Sequence, residues 1–559
     1  MNLGENEIDV KDIDHLGIIA GIMDEMDLVR FIDSRIAPHP LEKVSVGTAI
    51  KAMVLNCMGF LTSPVYLFSQ FFQGKAVEHL LGRDIKAEHL NESRIGRVLD
   101  EIFKYGLSQL FVEIAMSAVK VFQVGITSGH FDTTSLSVSG KYEEKELVEG
   151  EQKGIKESEQ EDEDEDLKPI HITYGYSRDH RPDLKQFVMG LVTNGAEGVP
   201  LMVTVGDGNE SDRKHLHRMA KRFIKSWQGE QLDYFVMDSA GYTPDNLKTD
   251  WGVMNWIVRV PATLNEAKEW LNKSNESAFI EDENDSRYKL LSVNSAYAGV
   301  NQRWFIVQSE PRRKADLEKL ARDIEKEKKS KEKEFSQSYK KGFACEADAL
   351  AAVNQFASKL KFHEIVATEI VAKPFYSRAG KPKKDEEAQG YKYHPQVRFE
   401  VSQKLTLPHR NRAGRFILAT NCLDEKMLSA SKALELYKEQ QGTERGFRFI
   451  KDPLFFASSV FLQNRGRIMA LAFIMALALL VYSLGQHRLR RALQEAKASV
   501  PNQKKKPTNR PTLRWILQCF QSVHLVSINE VKSLIKLTQS QRLILKFLGP
   551  HCQQYYFLS

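Results

Sequence analysis

Two aspartates occur in this sequence at positions where acids are uncommon. Asp132 lies in the middle of GITSGHFDTTSLSVSG, whose Thr, Ser, Val and Phe content and alternation predict a β-strand. Asp238 ends the apolar stretch LDYFVMDSAGY, where a turn of small residues begins. Functional groups in open α/β sheets gather at strand ends, and carboxylate oxygens are the ligands that hard cations need. Both acids are therefore candidates for chemistry, and the alternative is that each is an ordinary cap or turn residue.

A third acid belongs to a stretch with helical spacing. Tyr437, Gln440, Glu444 and Lys451 are spaced by three, four and seven residues. On a helix of about 100° per residue they fall within one sector of about 60°, so a carboxylate and a cation share one face. Two glycines in the stretch each cost a helix about 1 kcal/mol, so we expect tertiary contacts to support it. The alternative is a surface helix with incidental charges.

Other polar residues are weaker candidates. Asp207, Glu210 and Asp212 form a carboxylate-rich turn after a predicted strand, and any of them could approach the two aspartates. His215 and His217 are two apart on a predicted helix, so they face different directions and make a poor metal-binding pair. We expect both histidines to lie on the surface.

The elements that position these residues change along the chain. Residues 1–122 have apolar residues three and four apart, which predicts an all-helical N-terminal domain for DNA binding or dimerisation. Arg94 and Arg97 would lie on the recognition helix of a helix-turn-helix unit. A plain helical bundle that serves dimerisation or packing is the alternative.

A β-rich region follows the helices. Within residues 123–243 three predicted strands, a helix and a fourth strand follow one another, and Asn194 lies in the turn of a predicted hairpin. This order matches an RNase H-like core, a mixed sheet flanked by helices, in which the strands of Asp132 and Asp238 lie side by side. We interpret the acidic stretch at 141–168 as a disordered surface loop.

The remainder of the chain contains three further parts. Residues 244–428 carry more strands and predict a β-rich insertion subdomain, in which the charged segment 311–341 forms an exposed helix or short helical hairpin. Residues 429–487 return to helix and would complete the core. Residues 488–559 predict a basic linker and a C-terminal helical segment.

Composition and charge exclude several protein classes. The chain has 559 residues, 42% of them hydrophobic, and a net charge of +6, which excludes global disorder and a small disulfide scaffold. Residues 143–166 include 13 acids and three bases, so the rest of the chain is basic. The run from Arg488 to Arg514 holds nine basic residues and one acid, which suits a polyanion such as DNA; a solvated linker is the alternative. Five scattered cysteines and an acidic N-terminus without a signal-peptide pattern lead us to expect a reducing cytosol.

An uncharged run of 17 residues, from 468 to 484, raises the possibility of a membrane protein. Its length is at the lower edge of the roughly 17 to 25 residues that a spanning helix uses. A helix buried in the core of a large protein is also apolar all round. We therefore expect a core helix and no membrane, with membrane association as the alternative.

Together these motifs resemble a known family. The order strand Asp, strand Asp, helix Glu, with Tyr437, Glu444 and Lys451 at the spacing of a Tyr-x2-Arg-x3-Glu-x6-Lys frame, is similar to the DDE transposases of bacterial insertion sequences, in the insertion-sequence-four superfamily. The segments HFDTTS, GVPLMVTVGDGNESD, DSAGY and ERGFRFIKDP resemble one subgroup, and the similarity extends to GPHCQQYYF. Gln440 departs from the frame, which has Arg there. This side chain can hydrogen-bond a phosphate oxygen but cannot supply charge.

The resemblance implies a reaction and a metal site. It implies cut-and-paste DNA transposition, in which metal-dependent phosphodiester hydrolysis frees a transposon end and its 3′-hydroxyl attacks target DNA. Two Mg²⁺ ions, for which Mn²⁺ can substitute, would stabilise the attacking and leaving oxygens. In this interpretation Asp132 bridges both ions, Asp238 completes one site and Glu444 the other.

The resemblance also implies partners. The residues expected to contact DNA are Tyr437, Gln440, Arg448 and Lys451. Tyr437 could instead pack beneath its helix, and Tyr174, Arg178 and Arg181 are weaker candidates for the lining of the DNA channel. The protein would bind double-stranded terminal inverted repeats and target DNA as a homodimer in a synaptic complex, in the cytoplasm at the nucleoid. The alternative function is a catalytically silent, transposase-derived DNA-binding repressor.

Overall fold

The structure, a computed structural model, describes residues 8–60, 68–140, 142, 167–195, 197–229, 232–249, 254–273, 276–376, 387–452, 462, 464–528, 531–534 and 537–557. The predicted acidic loop at 141–168 lies outside the described residues except at 142, 167 and 168. By its contacts the chain divides into two compact units, one formed by Met1–Val258 and Glu435–Ser559 and the other by Arg259–Leu434.

The strands, numbered in chain order, are β1 (Ile8–Asp12), β2 (Ser128–Val138), β3 (Lys185–Asn194), β4 (Pro200–Gly206), β5 (Tyr234–Met237), β6 (Asn255–Arg259), β7 (Ile280–Glu281), β8 (Tyr288–Tyr297), β9 (Val300–Ser309), β10 (His363–Phe375), β11 (Gly390–Val401), β12 (Arg415–Thr420), β13 (Val500–Pro501), β14 (Pro507–Thr508), β15 (His524–Ile528) and β16 (Val531–Leu534).

The helices are α1 (Leu16–Glu25), α2 (Leu28–Arg35), α3 (Val46–Cys57), α4 (Phe68–Phe71), α5 (Val77–Leu81), α6 (Glu92–Tyr105), α7 (Leu107–Phe122), α8 (Asp212–Ser226), α9 (Pro244–Lys248), α10 (Asn265–Asn272), α11 (Glu310–Ser338), α12 (Glu346–Ala357), α13 (Gln403–Arg412), α14 (Ala430–Glu439), α15 (Gln441–Ile450), α16 (Arg465–Glu495), α17 (Leu513–Gln518), α18 (Gln539–Leu548) and α19 (Pro550–Gln553).

The first unit contains a sheet with the RNase H arrangement. Its strand order is β4-β3-β2-β5-β6. Strand β3 is antiparallel to both β2 and β4, whereas β2, β5 and β6 are parallel. Every residue of β4 is buried, because α7, α8 and α16 pack on that strand. The predicted RNase H-like fold class is confirmed, as are the hairpin of β3 with β4 and the adjacency of β2 and β5.

The long apolar run lies within α16, which is a core helix of the first unit. Among the described residues this helix is long and apolar enough to cross a membrane. Helices α6 and α7, which meet at an angle of 88°, reach that length and hydropathy only if the two are counted together as one span. In α16, 89% of the most apolar window is buried inside the molecule. Helices α1, α3, α6, α7 and α18 pack against it. Its apolar side chains are therefore covered by protein.

The N-terminal helices do not present Arg94 to solvent. Arg94 is 4% exposed and donates to Glu42 at 2.8 Å and to Glu101 at 3.2 Å. The expectation that it reads DNA from a recognition helix is therefore wrong, because its charge is used within the fold. Arg97, on the same helix, is exposed and 3.6 Å from Glu42.

The C-terminal segment packs on the N-terminal helices. Strand β15 pairs with β1, and α19 lies against α1. A Cβ added at Gly21 would lie 2.6 Å from Cα of Cys552, so only glycine allows this approach. Lys51 donates to Asp24 and to Tyr555 at 2.6 and 2.9 Å, and Tyr555 donates to Asp24 at 2.6 Å. The predicted C-terminal helical segment also contains the hairpins β13–β14 and β15–β16.

The second unit has its own strands and a small core. Strands β12, β9, β8 and β7 lie in that order and are antiparallel, and β10 and β11 form a long hairpin. The charged segment forms the single helix α11 of 29 residues, exposed along most of its length. Near its end Phe335 packs with Val353, Phe356, Leu360 and Phe399.

Candidate active site

Asp132 lies on β2, the middle strand of the RNase H-like sheet. Its neighbours Phe131 and Thr133 are buried, and its own side chain is 15% exposed. The backbone N–H of Thr133 donates to its carboxylate at 2.7 Å. Burial raises the pKa of Asp132 to about 7, and the charge of Asp238 acts in the same direction while Arg178 opposes it. The ionised carboxylate is thus costly to the fold and favours a nearby cation.

Asp238 follows β5 and lies beside Asp132. The parallel ladder pairs Phe131 with Met237, so the next residue on each strand is one of the two acids. Asp238 accepts a hydrogen bond from the backbone N–H of Ala240 at 2.8 Å and caps a short 3-10 turn. Burial raises the pKa of its carboxyl. The cap that was the alternative to a functional role is present, and it also fixes the carboxylate next to Asp132.

The guanidinium of Arg178 lies within this group of acids. One of its nitrogens is 3.7 Å from the Asp132 carboxylate and the other is 2.8 Å from that of Asp212. Arg178 also donates to the backbone carbonyl of Thr133 and, at 3.2 Å, to its hydroxyl. The Thr133 hydroxyl donates to Asp212 at 2.8 Å. Arg178 and a third aspartate, Asp212, therefore belong to the site. From the sequence alone both are weaker candidates.

Of the three acids Asp207, Glu210 and Asp212, only Asp212 enters this network. It is the first residue of α8, after the N-cap Ser211. Glu210 instead contacts His215 at 2.7 Å and accepts from Arg218 at 2.8 Å. Asp207, the third of these acids, accepts from the backbone N–H of His171 at 2.8 Å.

The expectation of a surface position is wrong for His215. This ring is fully buried and contacts Thr204 at 2.9 Å as well as Glu210. It lies four residues before Met219 on the apolar face of α8, which packs on the sheet. His217 is half-buried and contacts Asn246 at 2.6 Å.

Glu444 lies in the first turn of α15, with its side chain exposed. Helix α15 packs on β2 and β3, and the hydroxyls of Thr443 and Thr193 are hydrogen-bonded at 2.7 Å. The negative charge of Glu444 is the smallest of the causes that raise the pKa of Asp132, after burial and Asp238. The third predicted acid is thus coupled electrostatically to the first.

The predicted continuous helix around Glu444 is interrupted at Gln440, between α14 and α15, although the backbone of Gln440 keeps right-handed helical angles (φ −55°, ψ −22°). The two glycines that made this helix costly serve close packing. A Cβ at Gly442 would lie 3.1 Å from Cα of Gly198, and a Cβ at Gly446 would lie 3.0 Å from the side chain of Leu479. These approaches provide the tertiary support that the sequence required.

The residues predicted to contact DNA differ in exposure. Gln440 is 7% exposed and Tyr437 is half-buried, whereas Arg448 is exposed. Lys451 donates to both carboxylate oxygens of Asp179, at 2.7 and 3.0 Å. Arg448 and Lys451 are therefore accessible to a ligand from solvent in this conformation, whereas Gln440 is not.

The described residues contain no group of three or more His, Cys, Asp or Glu side chains arranged to hold a metal ion. The chemistry of the donor set nevertheless fits a hard divalent cation. Asp132 and Asp238 are adjacent, and burial raises the pKa of both, so a cation would stabilise their ionised forms. These two acids could hold such an ion.

Comparisons with known proteins give one family model that covers more than half of the chain. The family model described as "Transposase DDE domain" matches residues 163–481, and a "Domain of unknown function (DUF4277)" matches residues 8–116. Among solved structures, the "Cryo-EM structure of piggyBac transposase synaptic complex with hairpin DNA" is similar with 9% sequence identity and a TM-score of 0.35, over 92% of this chain and 83% of that one. No curated protein sequence matches the chain.

Proposed function

This chain belongs to the transposase DDE domain family, and we propose that it is an active enzyme that catalyses cut-and-paste DNA transposition. It would hydrolyse phosphodiester bonds at the ends of a mobile element and join each freed 3′-hydroxyl to target DNA. The observation that carries the proposal is the pair Asp132 and Asp238 on adjacent parallel strands, with Glu444 on a helix that packs on the same sheet. The spacing of Tyr437, Glu444 and Lys451 supports membership of the insertion-sequence-four superfamily.

The three acids would hold divalent cations, Mg²⁺ or Mn²⁺ in its place. Two such ions, when bound, stabilise charge on the attacking and leaving oxygens of a phosphodiester. Asp132, Asp238 and Glu444 are the residues that would hold these ions. Since Asp132 and Asp238 lie on or directly after buried strands, their carboxylates are held in place before any ligand binds.

Basic residues near the acids would position DNA. Lys451 would exchange its contact with Asp179 for a phosphate, and the exposed Arg448 would bind a second phosphate. Gln440 would reach a phosphate only after movement of the break between α14 and α15, because its side chain is buried. For the half-buried Tyr437, packing against the protein is the favoured role.

The proposed partners are double-stranded terminal inverted repeats and target DNA. Joining two ends requires two active sites, so we propose a homodimer within a synaptic complex. The proposed location is the cytoplasm, at the nucleoid.

The test is Mg²⁺-dependent cleavage of labelled DNA that carries the ends of the element with flanking sequence. Glu444→Gln should abolish cutting and retain DNA binding, because the amide keeps the shape but loses the charge that binds a cation. The matched control is Glu435→Gln, an exposed acid on α14, which should cut normally. Equal cutting by Glu444→Gln and the unchanged protein would remove Glu444 from the site. DNA binding without cutting by the unchanged protein would favour the repressor alternative.

A further inference from the structure

Arg178 is a charged group that the proposed reaction does not yet use. Its guanidinium contacts Asp212 at 2.8 Å and Asp132 at 3.7 Å, and its side chain is 31% exposed. An arginine side chain cannot lose its proton in a protein, so it supplies a permanent positive charge to these acids. It therefore neutralises part of the charge that divalent cations would neutralise.

The backbone around Arg178 is anchored on both sides of the site. The N–H of Arg178 donates to the hydroxyl of Ser135 on β2 at 3.1 Å. The next residue, Asp179, accepts from Lys451 at the end of the helix that carries Glu444. The segment that carries Arg178 is thus fixed to β2 and to the end of α15, which places the guanidinium among the acids.

The contact with Asp132 competes with metal binding. The nearest nitrogen of Arg178 approaches Oδ1 of Asp132, so a divalent ion bound by this carboxylate would lie close to the guanidinium charge. Like charges repel strongly at such separations, because the effective dielectric constant near a protein surface is well below that of water. Arg178 and a divalent ion therefore cannot both contact Asp132 without a large cost.

Asp212 gives Arg178 an alternative position. It is half-buried at the start of α8, and the hydroxyl of Thr133 holds its other carboxylate oxygen. If the contact with Asp132 is lost, Arg178 keeps its bonds to Asp212 and Thr133, and the guanidinium N–H groups outside these bonds can face a substrate. A planar guanidinium matches the oxygens of a phosphate, to which it can donate two parallel hydrogen bonds.

We propose that Arg178 is a resident counter-ion of the acid group, which divalent cations displace from Asp132 and which then binds a phosphate of the DNA substrate while Asp212 holds it. This inference rests on the proposed function, because it assigns a substrate-positioning residue to the same site. As the metal binds, the guanidinium of Arg178 would move from Asp132 to a phosphate of the DNA.

The test is calorimetric titration of the full chain with Mn²⁺ in the absence of DNA. Arg178→Gln should bind Mn²⁺ about tenfold more tightly or better, since removal of one neighbouring charge relieves repulsion of a divalent ion. Arg178→Lys should bind with an affinity nearer to that of the unchanged protein. The matched control is Arg181→Gln, which removes an exposed arginine of the same segment that pairs with Asp183 and should leave the affinity unchanged.

DNA binding gives a second measurement with the opposite sign. With Ca²⁺ present to fill the site, Arg178→Gln should bind end DNA several-fold more weakly in fluorescence anisotropy. If Arg178→Gln does not fold, Asp212→Asn is measured in its place. In that variant Arg178 should pair more closely with Asp132, so Mn²⁺ should bind several-fold more weakly.

The outcomes separate this inference from the proposed function. Unchanged or weaker Mn²⁺ binding by Arg178→Gln, with binding abolished in Asp132→Asn, overturns the role of Arg178 and leaves the metal site intact. Absence of Mn²⁺ binding in both the unchanged protein and Arg178→Gln overturns the inference together with the metal site. Where Asp212→Asn is the variant measured, unchanged affinity overturns the counter-ion role.

Discussion

Replacing Asp132 by Asn should stabilise the protein while it abolishes cutting. Burial, with Asp238 next, raises the pKa of Asp132 from 3.8 to about 7. Each tenfold change in an equilibrium constant is worth about 1.4 kcal/mol, so the ionised Asp132 costs the folded state at most about 4 kcal/mol. Asn keeps the size and the acceptor oxygen of the side chain and avoids this cost.

The pH dependence follows from the direction of the shift. Because the folded-state pKa lies above the unfolded one, protonation of Asp132 favours folding. That contribution is complete below about pH 4 and is lost as the pH rises through about 7. Asp132→Asn and the unchanged protein should therefore be equally stable near pH 4, and the advantage of the variant should grow until about pH 8.

The assay is hydrogen–deuterium exchange, read by mass spectrometry on peptides from β2 and β5 between pH 5 and 8. Intrinsic exchange rates are corrected for pH, and the quantity compared is the free energy of opening. Asp183→Asn is the control, because Arg181 lowers the pKa of that exposed acid and no stability gain should follow. An Asp132→Asn variant that is no more stable at pH 8, or whose advantage does not change with pH, would refute the reasoning.

Two further changes test the packing of α15 and the C-terminal basic hairpin. Gly442→Ala should lower the melting temperature, because the added Cβ would lie 3.1 Å from the Gly198 backbone. Overpacking costs about 1–3 kcal/mol, against a gain in helix propensity of about 1 kcal/mol. Gly125→Ala, with open space around it, is the control, and an unchanged melting temperature for Gly442→Ala would show that the helix can shift. The exposed lysines Lys504–Lys506 lie in the turn between β13 and β14, where Asn502 accepts from two of their backbone N–H groups. Changing all three to Gln should reduce the slope of log affinity for DNA against log salt by about 2.7, at about 0.9 per phosphate contact; an unchanged slope in fluorescence anisotropy would make this turn a solvated linker.

The strands that carry the aspartates could be predicted because their signals are local. β2 and β5 are β-rich runs, and the order of strands and helix around them fits few topologies. Asp132 was notable as an acid inside such a run, and Asp238 as the residue at which one ends. The position of Glu444 followed from helical spacing, although the break at Gln440 was not foreseen, since it depends on how α15 packs against the sheet.

The network of Arg178 could not be predicted in the same way. Arg178 and Asp212 are 34 residues apart in sequence and meet only because Thr133 on β2 lies between them. No periodicity encodes such a contact. The burial of His215, by contrast, had a sequence signal, since it is four residues before Met219 on the apolar face of a helix, and polarity alone was the wrong guide.

The charges of the site suggest why an arginine lies among its acids. Asp132, Asp212, Asp238 and Glu444 with Arg178 carry a formal charge of about −3 when all are ionised. Burial, with the charge of Asp238 next, raises the pKa of Asp132. Two divalent cations and one substrate phosphate would bring this group to neutrality only if Arg178 stays within it. The proposed movement of Arg178 from Asp132 to the phosphate satisfies that condition, because the guanidinium stays within the group of charges. Replacement of Arg178 should therefore strengthen metal binding and weaken DNA binding. An arginine with a purely structural role would not produce this combination.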